Sequence, residues 1–331
     1  ERPVAEYLKE EFSRIGLEGE EDSSAPSFGG DCGNLLLRFP GDHPGRPGLI
    51  ICTHLDTILP TDQLEVVEKE GIFYSAGETI LGADDRAGVA AMLECARALV
   101  EEGGSPIPLE FLFTVGEEAG LLGAKALQPG WLRGKLLYVL DSDGPVGRIV
   151  NRAPYGEKIA ATVKGKSAHA GIDPESGVNA ITIAARAIAS MRLGRIDDIT
   201  TANIGTISGG KAQNIVPDLV DVVGEVRSLE EDRLRKQADH MEKCFRAAAR
   251  REGGEIVFYS AADYPGYSFS ADSFPVKLIS DTLEMLGIEP VLEASCGASD
   301  ANIITGLGIP SLVLSVGYLH PHTGRESQSR R

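Results

Sequence analysis

Leu109-Glu110-Phe111-Leu112-Phe113-Thr114-Val115-Gly116-Glu117-Glu118 is a β-rich apolar run that stops at two adjacent carboxylates. Side-by-side carboxylates repel each other, and a nearby cation, most directly a metal ion, offsets that repulsion. A solvated charge pair is the alternative reading for an isolated Glu-Glu. Three further apolar runs end in the same way, however. Leu49-Ile50-Ile51-Cys52-Thr53 leads into His54-Leu55-Asp56, Leu136-Leu137-Tyr138-Val139-Leu140 into Asp141, and Ser311-Leu312-Val313-Leu314-Ser315-Val316 into a segment with His320 and His322. Metal-ligand residue types therefore recur at strand ends.

Working outward, strands at 49–53, 109–115, 136–141 and 311–316 alternate with helical patterns at 87–101 and 275–287, which predicts an α/β open sheet. Such sheets bind ligands beyond the carboxyl ends of their strands, where the acidic and histidine residues fall. Val4, Leu8, Phe12 and Ile15 mark an opening helix. Gly82-Ala83-Asp84-Asp85-Arg86-Ala87-Gly88 precedes the apolar helical face Val89, Met92, Leu93, Ala96, Val100, so Asp84 sits where a helix begins. An aspartate there is as readily an N-cap as a ligand.

The texture changes between residues 153 and 264. A strand at 158–163, a helix at 177–192, strands at 202–207 and 219–227, a charged helix at 229–251 and a strand at 255–259 give the order βαββαβ. That order predicts an inserted α+β ferredoxin-like domain, with residues 1–152 and 265–331 forming the domain around it. The Pro40–Gly48 patch reads as a turn between strands.

Composition excludes several partners. The formal charge of −17 repels nucleic acid and anionic lipid surfaces over most of the protein. No stretch approaches the ~20 uninterrupted apolar residues of a membrane span, and Glu1-Arg2-Pro3-Val4 does not read as a signal peptide. The 5 cysteines, Cys32, Cys52, Cys95, Cys244 and Cys296, are odd in number and lack CxxC spacing, which argues against a disulfide framework and for a reducing cytoplasm.

His54-Leu55-Asp56, Gly82-Ala83-Asp84-Asp85-Arg86, Gly116-Glu117-Glu118, Leu140-Asp141-Ser142 and His322-Thr323-Gly324-Arg325-Glu326 resemble, in order, the metal-site motifs of the dinuclear zinc exopeptidases that include peptidase T, carboxypeptidase G and aminoacylase. Leu81-Gly82-Ala83-Asp84-Asp85 and Cys296-Gly297-Ala298-Ser299-Asp300-Ala301-Asn302 are most similar to the peptidase T branch. The resemblance implies that Asp84 bridges two metal ions, with His54 and Asp141 on one and Glu118 and His322 on the other. Two Zn²⁺ per chain suit carboxylate and imidazole ligands, with Mn²⁺ or Co²⁺ as substitutes. It implies that Glu117 is the general base, that Asp56 orients the His54 imidazole from behind, and that the peptide after Asp84 is cis. His320 and His322 compete for one ligand role; His-Thr-x-x-Glu is the form the family motif takes, which favours His322.

From the inserted domain the resemblance implies substrate contacts by His169, Asn214 and Arg227, with His169 reaching the site of a neighbouring subunit in a homodimer. Taken without the family, His169 is a loop histidine and Arg227 a strand-end charge, the readings kept for His43 and His240; Asn179 reads as structural. Arg86 stands where the family usually has lysine, a change that keeps charge but alters geometry. The chain begins inside its first helix and ends Ser327-Gln328-Ser329-Arg330-Arg331, where relatives continue into a closing helix, so parts of the native protein are expected outside this sequence. The expected activity is a metal-dependent exopeptidase acting on short peptides, foremost as a tripeptide aminopeptidase. An N-acyl amino acid deacylase or carboxypeptidase is the alternative within the same chemistry. A non-catalytic metal-binding or peptide-binding protein is the alternative outside it.

Overall fold

The computed structural model describes residues 1–330, which separate into two compact units: Glu1–Asn151 with Ser268–Ala294 and residues 299–330, and Arg152–Tyr267 with Ser295–Ala298. The first is built on a nine-stranded sheet whose central strands Leu109–Thr114, Leu49–His54, Leu136–Ser142 and Ser311–Ser315 lie side by side and parallel. Leu35–Phe39 and Arg148–Ala153 flank them antiparallel.

Uninterrupted apolar runs suit strands covered on both faces. Accordingly the consecutive residues Phe111, Leu112 and Phe113 are all buried. Helix Arg2–Arg14 brings Leu8 and Phe12, and helix Ala83–Glu101 brings Val89, Met92, Leu93 and Ala96, into one core with Phe113. The Phe12 and Phe113 ring centroids are 5.7 Å apart. Because the central strands are parallel, their carboxyl ends share one sheet edge. His54 pairs with Thr114 in register, and the Leu55 amide donates to the Thr114 carbonyl at 2.8 Å.

Two local features frame the site. Regular helical backbone sets in only after Asp85, in keeping with the helical pattern at 87–101, while Asp84 and Asp85 are non-helical with the expected cis peptide between them. Asp84 caps nothing: Gly82 is the N-cap, and the aspartate side chain is turned elsewhere. The second feature is a four-stranded sheet of Val66–Lys69, Ile72–Ser75, Ser327–Ser329 and Tyr318–Leu319, none longer than 4 residues and therefore below the length at which alternation is legible. It holds both ends of the loop carrying His320 and His322.

The second unit has a five-stranded antiparallel sheet in the order Gly194–Asp197, Thr200–Gly209, Leu219–Ser228, Tyr155–Lys164, Glu255–Tyr264. Without the short edge strand Gly194–Asp197 this is the ferredoxin-like order. Helices Ala180–Ser190 and Glu231–Glu252 cover one face, burying Ile183, Ala184, Ala187, Phe245 and Ala248 against Val220 and Val222. Asn179 caps the first of these helices, its Oδ1 accepting the Thr182 amide at 3.0 Å. Among the described residues no helix is long and apolar enough to cross a membrane.

Candidate metal centre

The parallel sheet brings His54, Asp84, Glu118, Asp141 and His322 together at one edge. Asp84 stands between two imidazoles: its Oδ1 lies 3.1 Å from His54 Nε2 and its Oδ2 3.3 Å from His322 Nε2. Asp141 Oδ1 lies 3.6 Å from His54 Nε2, and Glu118 Oε1 2.6 Å from His322 Nε2. His322, not His320, joins the cluster. His320 contributes its carbonyl, which accepts the Thr323 hydroxyl at 2.8 Å. Both histidines sit at positive φ, 56° for His320 and 62° for His322, a conformation that non-glycine residues seldom adopt outside constrained loops.

Asp56 lies behind His54, but its carboxylate is not the nearest partner of the ring. The Asp56 carbonyl is 3.0 Å from His54 Nδ1 and its Oδ1 is 3.4 Å away. The chain leaves the strand at His54, so the period-2 alignment expected of an extended segment stops before Asp56. Its two carboxylate oxygens accept the backbone amides of Glu117 and Glu118, each at 3.0 Å, and so fix the turn that presents both glutamates. The Glu117 side chain is half-buried beside the cluster, and among the described residues no hydrogen bond reaches its carboxyl.

The electrostatics state how much negative charge is gathered here. Burial pushes the carboxyls of Asp141 and Glu118 up, and Asp84 adds to the rise in both. Burial also lifts Asp85 and Glu117 well above the ordinary range, with Asp141 as the next contributor. Burial opposes ionisation of Asp84 too, yet the hydrogen bonds from His322 and His54 outweigh it and hold this carboxyl low. Hydrogen bonding to Asp84 is the chief reason that His322 is raised to about 9. Burial works against a charged His54, but Asp141, Asp56 and Asp84 overcome it and lift this imidazole well above its usual value.

Such a cluster calls for positive charge. The donor set is oxygen and nitrogen only, and the two oxygens of Asp84 face separate imidazoles, an arrangement that fits a pair of divalent cations with Asp84 between them. His54, Asp84 and Glu118 each offer a ligand atom within one cluster, as do His54, Asp85 and Asp141.

Matches to known proteins follow the same division. The Peptidase family M28 model matches residues 34–170 and the Peptidase dimerisation domain model residues 158–253. The crystal structure of aminopeptidase PepT from Bacillus cereus is 42% identical, with a TM-score of 0.86 over 99% of this chain and 88% of that one. The chain belongs to the peptidase T-like branch of the dinuclear metallo-exopeptidases. A tripeptidase from Staphylococcus aureus is 39% identical, with a TM-score of 0.89 over 99% of this chain and 87% of its own. An uncharacterized Bacillus subtilis protein, YqjE, is 41% identical over 98% of this chain and 88% of its own length. As a member of this branch the chain is a metallopeptidase, with the dimerisation module inserted in its catalytic fold.

Several residues of this peptidase's centre escape a reading of motifs alone. Glu326, 2% exposed, accepts the Gly82 amide on Oε2 at 2.8 Å and the Asp84 amide on Oε1 at 3.0 Å. It ties the loop of His322 to the backbone of Asp84. Asp85 accepts the Thr53 hydroxyl and, at 3.2 Å, the Gly88 amide. Gly88 has no room for a side chain, since a Cβ would come 2.5 Å from Thr53 Oγ1 and 2.7 Å from the Leu140 carbonyl. Asp300, fully buried, accepts the Thr114 hydroxyl, and burial pushes its carboxyl up to about 7. Tyr318 donates to Asp141 Oδ1 at 3.4 Å. The available signal was modest: Glu326 is the last residue of the His322 motif, and Asp300 lies in the first turn of a short helix capped by Ser299 and Asn302.

The remaining sequence candidates lie in the other unit. His169 Nδ1 accepts the Gly171 amide at 3.2 Å, which leaves the proton of the neutral ring on Nε2, the exposed donor. Asn214 is brought beside it, its carbonyl accepting the Ala170 amide at 3.0 Å. Arg227 extends from strand Leu219–Ser228, its Nη2 donating to Glu225 Oε2 at 3.0 Å.

Proposed function

We propose that this metallopeptidase is a tripeptide aminopeptidase that works with two Zn²⁺ per chain, Mn²⁺ or Co²⁺ serving as substitutes. The observation that carries the reading is the division of labour among adjacent carboxylates: Glu118 faces His322 at 2.6 Å, whereas among the described residues no hydrogen bond or ion pair engages the Glu117 carboxyl, one residue away. Held metal would supply the positive charge that activates water and polarises the scissile carbonyl. The residues that would hold the ions are His54 with Asp141, Glu118 with His322, and Asp84 between them.

Glu117 is the general base. It takes a proton onto its carboxylate from the attacking water and returns it to the leaving amine, a role open to a carboxylate with no ligand duty. Asp56 keeps the two glutamate amides in place, which sets Glu118 beside His322 and leaves Glu117 for proton transfer. His169, with its proton on Nε2, donates to the carbonyl oxygen as it gains charge. Asn214 and Arg227 contact the substrate.

The match of residues 158–253 to a peptidase dimerisation domain supports a homodimer in which His169 of one copy serves the metal pair of the other. Free cysteines at Cys32, Cys52, Cys95, Cys244 and Cys296 support a reducing cytoplasm as its compartment. Short peptides are the partners expected of the site, and neither nucleic acid nor membrane is. A panel of tripeptides, N-acyl amino acids and C-terminally extended peptides, with products identified by mass, tests the reading. Release of the N-terminal residue and a dipeptide is the expected result. Release of the C-terminal residue, or cleavage of N-acyl substrates alone, would replace it with a carboxypeptidase or deacylase.

A further inference from the structure

On the open face of the inserted sheet, opposite its two helices, Arg227, Gly156 and Tyr264 form one row across three strands. Arg227 pairs with Gly156 in register, and Gly156 with Tyr264. Directly opposed residues of antiparallel strands point to the same face. The flanking Val226 and Ser228 are fully buried, with Val226 packed beside Leu234 and Met241 of helix Glu231–Glu252, so Arg227 points away from that helix.

The middle of the row is a glycine for a visible reason. A Cβ on Gly156 would lie 2.2 Å from Tyr264 Cζ and 2.5 and 2.6 Å from its two Cε atoms. The tyrosine ring therefore occupies the space above Gly156 and reaches across the central strand toward Arg227, and the two groups interact electrostatically. Tyr264 is 7% exposed. Its hydroxyl and Arg227 Nε are both buried, and neither has a hydrogen-bond partner. No hydrogen bond joins the two; the ring fills the space above Gly156, in the row that ends at Arg227.

The guanidinium is thereby fixed on two sides. Glu225 holds Nη2 at 3.0 Å and Nε is enclosed, so a ligand would be met through the remaining nitrogen, Nη1. A fixed guanidinium corner recognises an oxyanion, and the oxyanion that every short peptide carries is its terminal carboxylate.

We propose that Tyr264 is a positioning residue: its ring, laid over Gly156, props Arg227 so that the guanidinium reads the carboxylate end of the peptide. This rests on the reading of Arg227 as a substrate contact. The row explains why a glycine is required near the start of strand Tyr155–Lys164, where it otherwise weakens a sheet.

The test compares a tripeptide with its C-terminal amide, taking the ratio of kcat/KM for acid over amide in the metal-loaded enzyme. Tyr264→Ala is expected to lower that ratio at least about tenfold, through KM more than kcat, because a displaced guanidinium loses its alignment. Gly156→Ala should do the same by pushing the ring aside, while Tyr264→Phe, which keeps the ring, should retain the ratio. If Tyr264→Ala does not fold, Tyr264→Leu and Gly156→Ala carry the comparison. Should both leave the ratio at its wild-type value while Arg227→Ala lowers it, Tyr264 has no positioning role and the reading of Arg227 survives. If Arg227→Ala itself leaves the ratio unchanged, that reading fails and the proposal with it.

Discussion

Strand Leu109–Thr114 of the catalytic unit and strand Leu219–Ser228 of the inserted unit use their residues in opposite ways. The first is buried on both faces, consecutive side chains Phe111, Leu112 and Phe113 all enclosed, so its chemistry is confined to its carboxyl end. The second alternates: Val220, Val222 and Val226 are buried under helices, while Leu219, Val223 and Arg227 face outward. A strand covered on both sides can offer function only where it stops, whereas a strand covered on one side can offer it along its length. Hence the charged cluster of the first unit sits at one sheet edge, and the row of Arg227, Gly156 and Tyr264 in the second lies across a sheet face.

The largest effect expected from this contrast is catalytic. Glu117→Gln should lower kcat by about 10²–10⁴-fold with metal content near normal, while Glu118→Gln loses metal. Elemental analysis beside peptide hydrolysis separates them, and identical behaviour in both assays would break the proposed division of labour. Mixing Glu117→Gln with His169→Ala should restore part of the activity if His169 acts from a second copy, because the heterodimer then holds one intact site.

Burial on one or two faces is tested by stability. In the catalytic strand both neighbours should matter, with Leu112→Ala costing about 2–5 kcal/mol and Phe113→Ala about 3–5 kcal/mol. In the inserted strand only alternate positions should: Val222→Ala costs about 1–3 kcal/mol, whereas Val223→Ala stays within about 0.5 kcal/mol. Denaturant unfolding of the four variants reads this directly. Equal losses at Val222 and Val223 would mean that the open face is covered in solution.

A smaller effect is expected at Glu326. It touches backbone amides, not the candidate metal positions, so Glu326→Gln should weaken metal affinity by about 10–100-fold without removing a ligand. Titration of stripped protein with Zn²⁺ measures it. Unchanged affinity would show that the His322 loop needs no tie to Asp84.

The last effect is one of pH. Burial raises the Asp300 carboxyl in the folded state to about 7, above its ordinary value of 3.8. A raised group stabilises the fold below its unfolded pKa and loses that contribution as pH climbs through the folded one. Metal-stripped protein should therefore lose stability between pH 4 and pH 7, and Asp300→Asn, which cannot ionise, should flatten that part of the curve. A variant curve parallel to wild type would remove Asp300 from the balance.

The two units were unequally legible. The four runs ending at His54, Glu117-Glu118, Asp141 and the His320 to His322 segment reveal the parallel sheet and its functional edge, because long apolar stretches and the charges that end them are local signals. The inserted βαββαβ pattern is legible for the same reason, with only the edge strand Gly194–Asp197 missed. The small sheet that carries the His322 loop is not, since its strands are 2 to 4 residues long and drawn from both halves of the chain. Local sequence leaves Asp84 equally open to a capping role, and its place between two imidazoles decides against it.

The order of the motifs, the spacing of apolar residues and the excess of acid over base already determine that this chain forms an α/β sheet with a ferredoxin-like insert and gathers metal-ligand residues at strand ends. Those properties depend on neighbours in the chain. Which atoms converge is decided only in three dimensions: that Asp84 turns one oxygen to each imidazole, that Glu326 ties the His322 loop to Asp84, that Asp56 spends its carboxylate on two amides, and that Tyr264 covers Gly156. Each joins segments that share no local pattern, because burial and hydrogen bonding act on distance in space and are indifferent to separation along the chain.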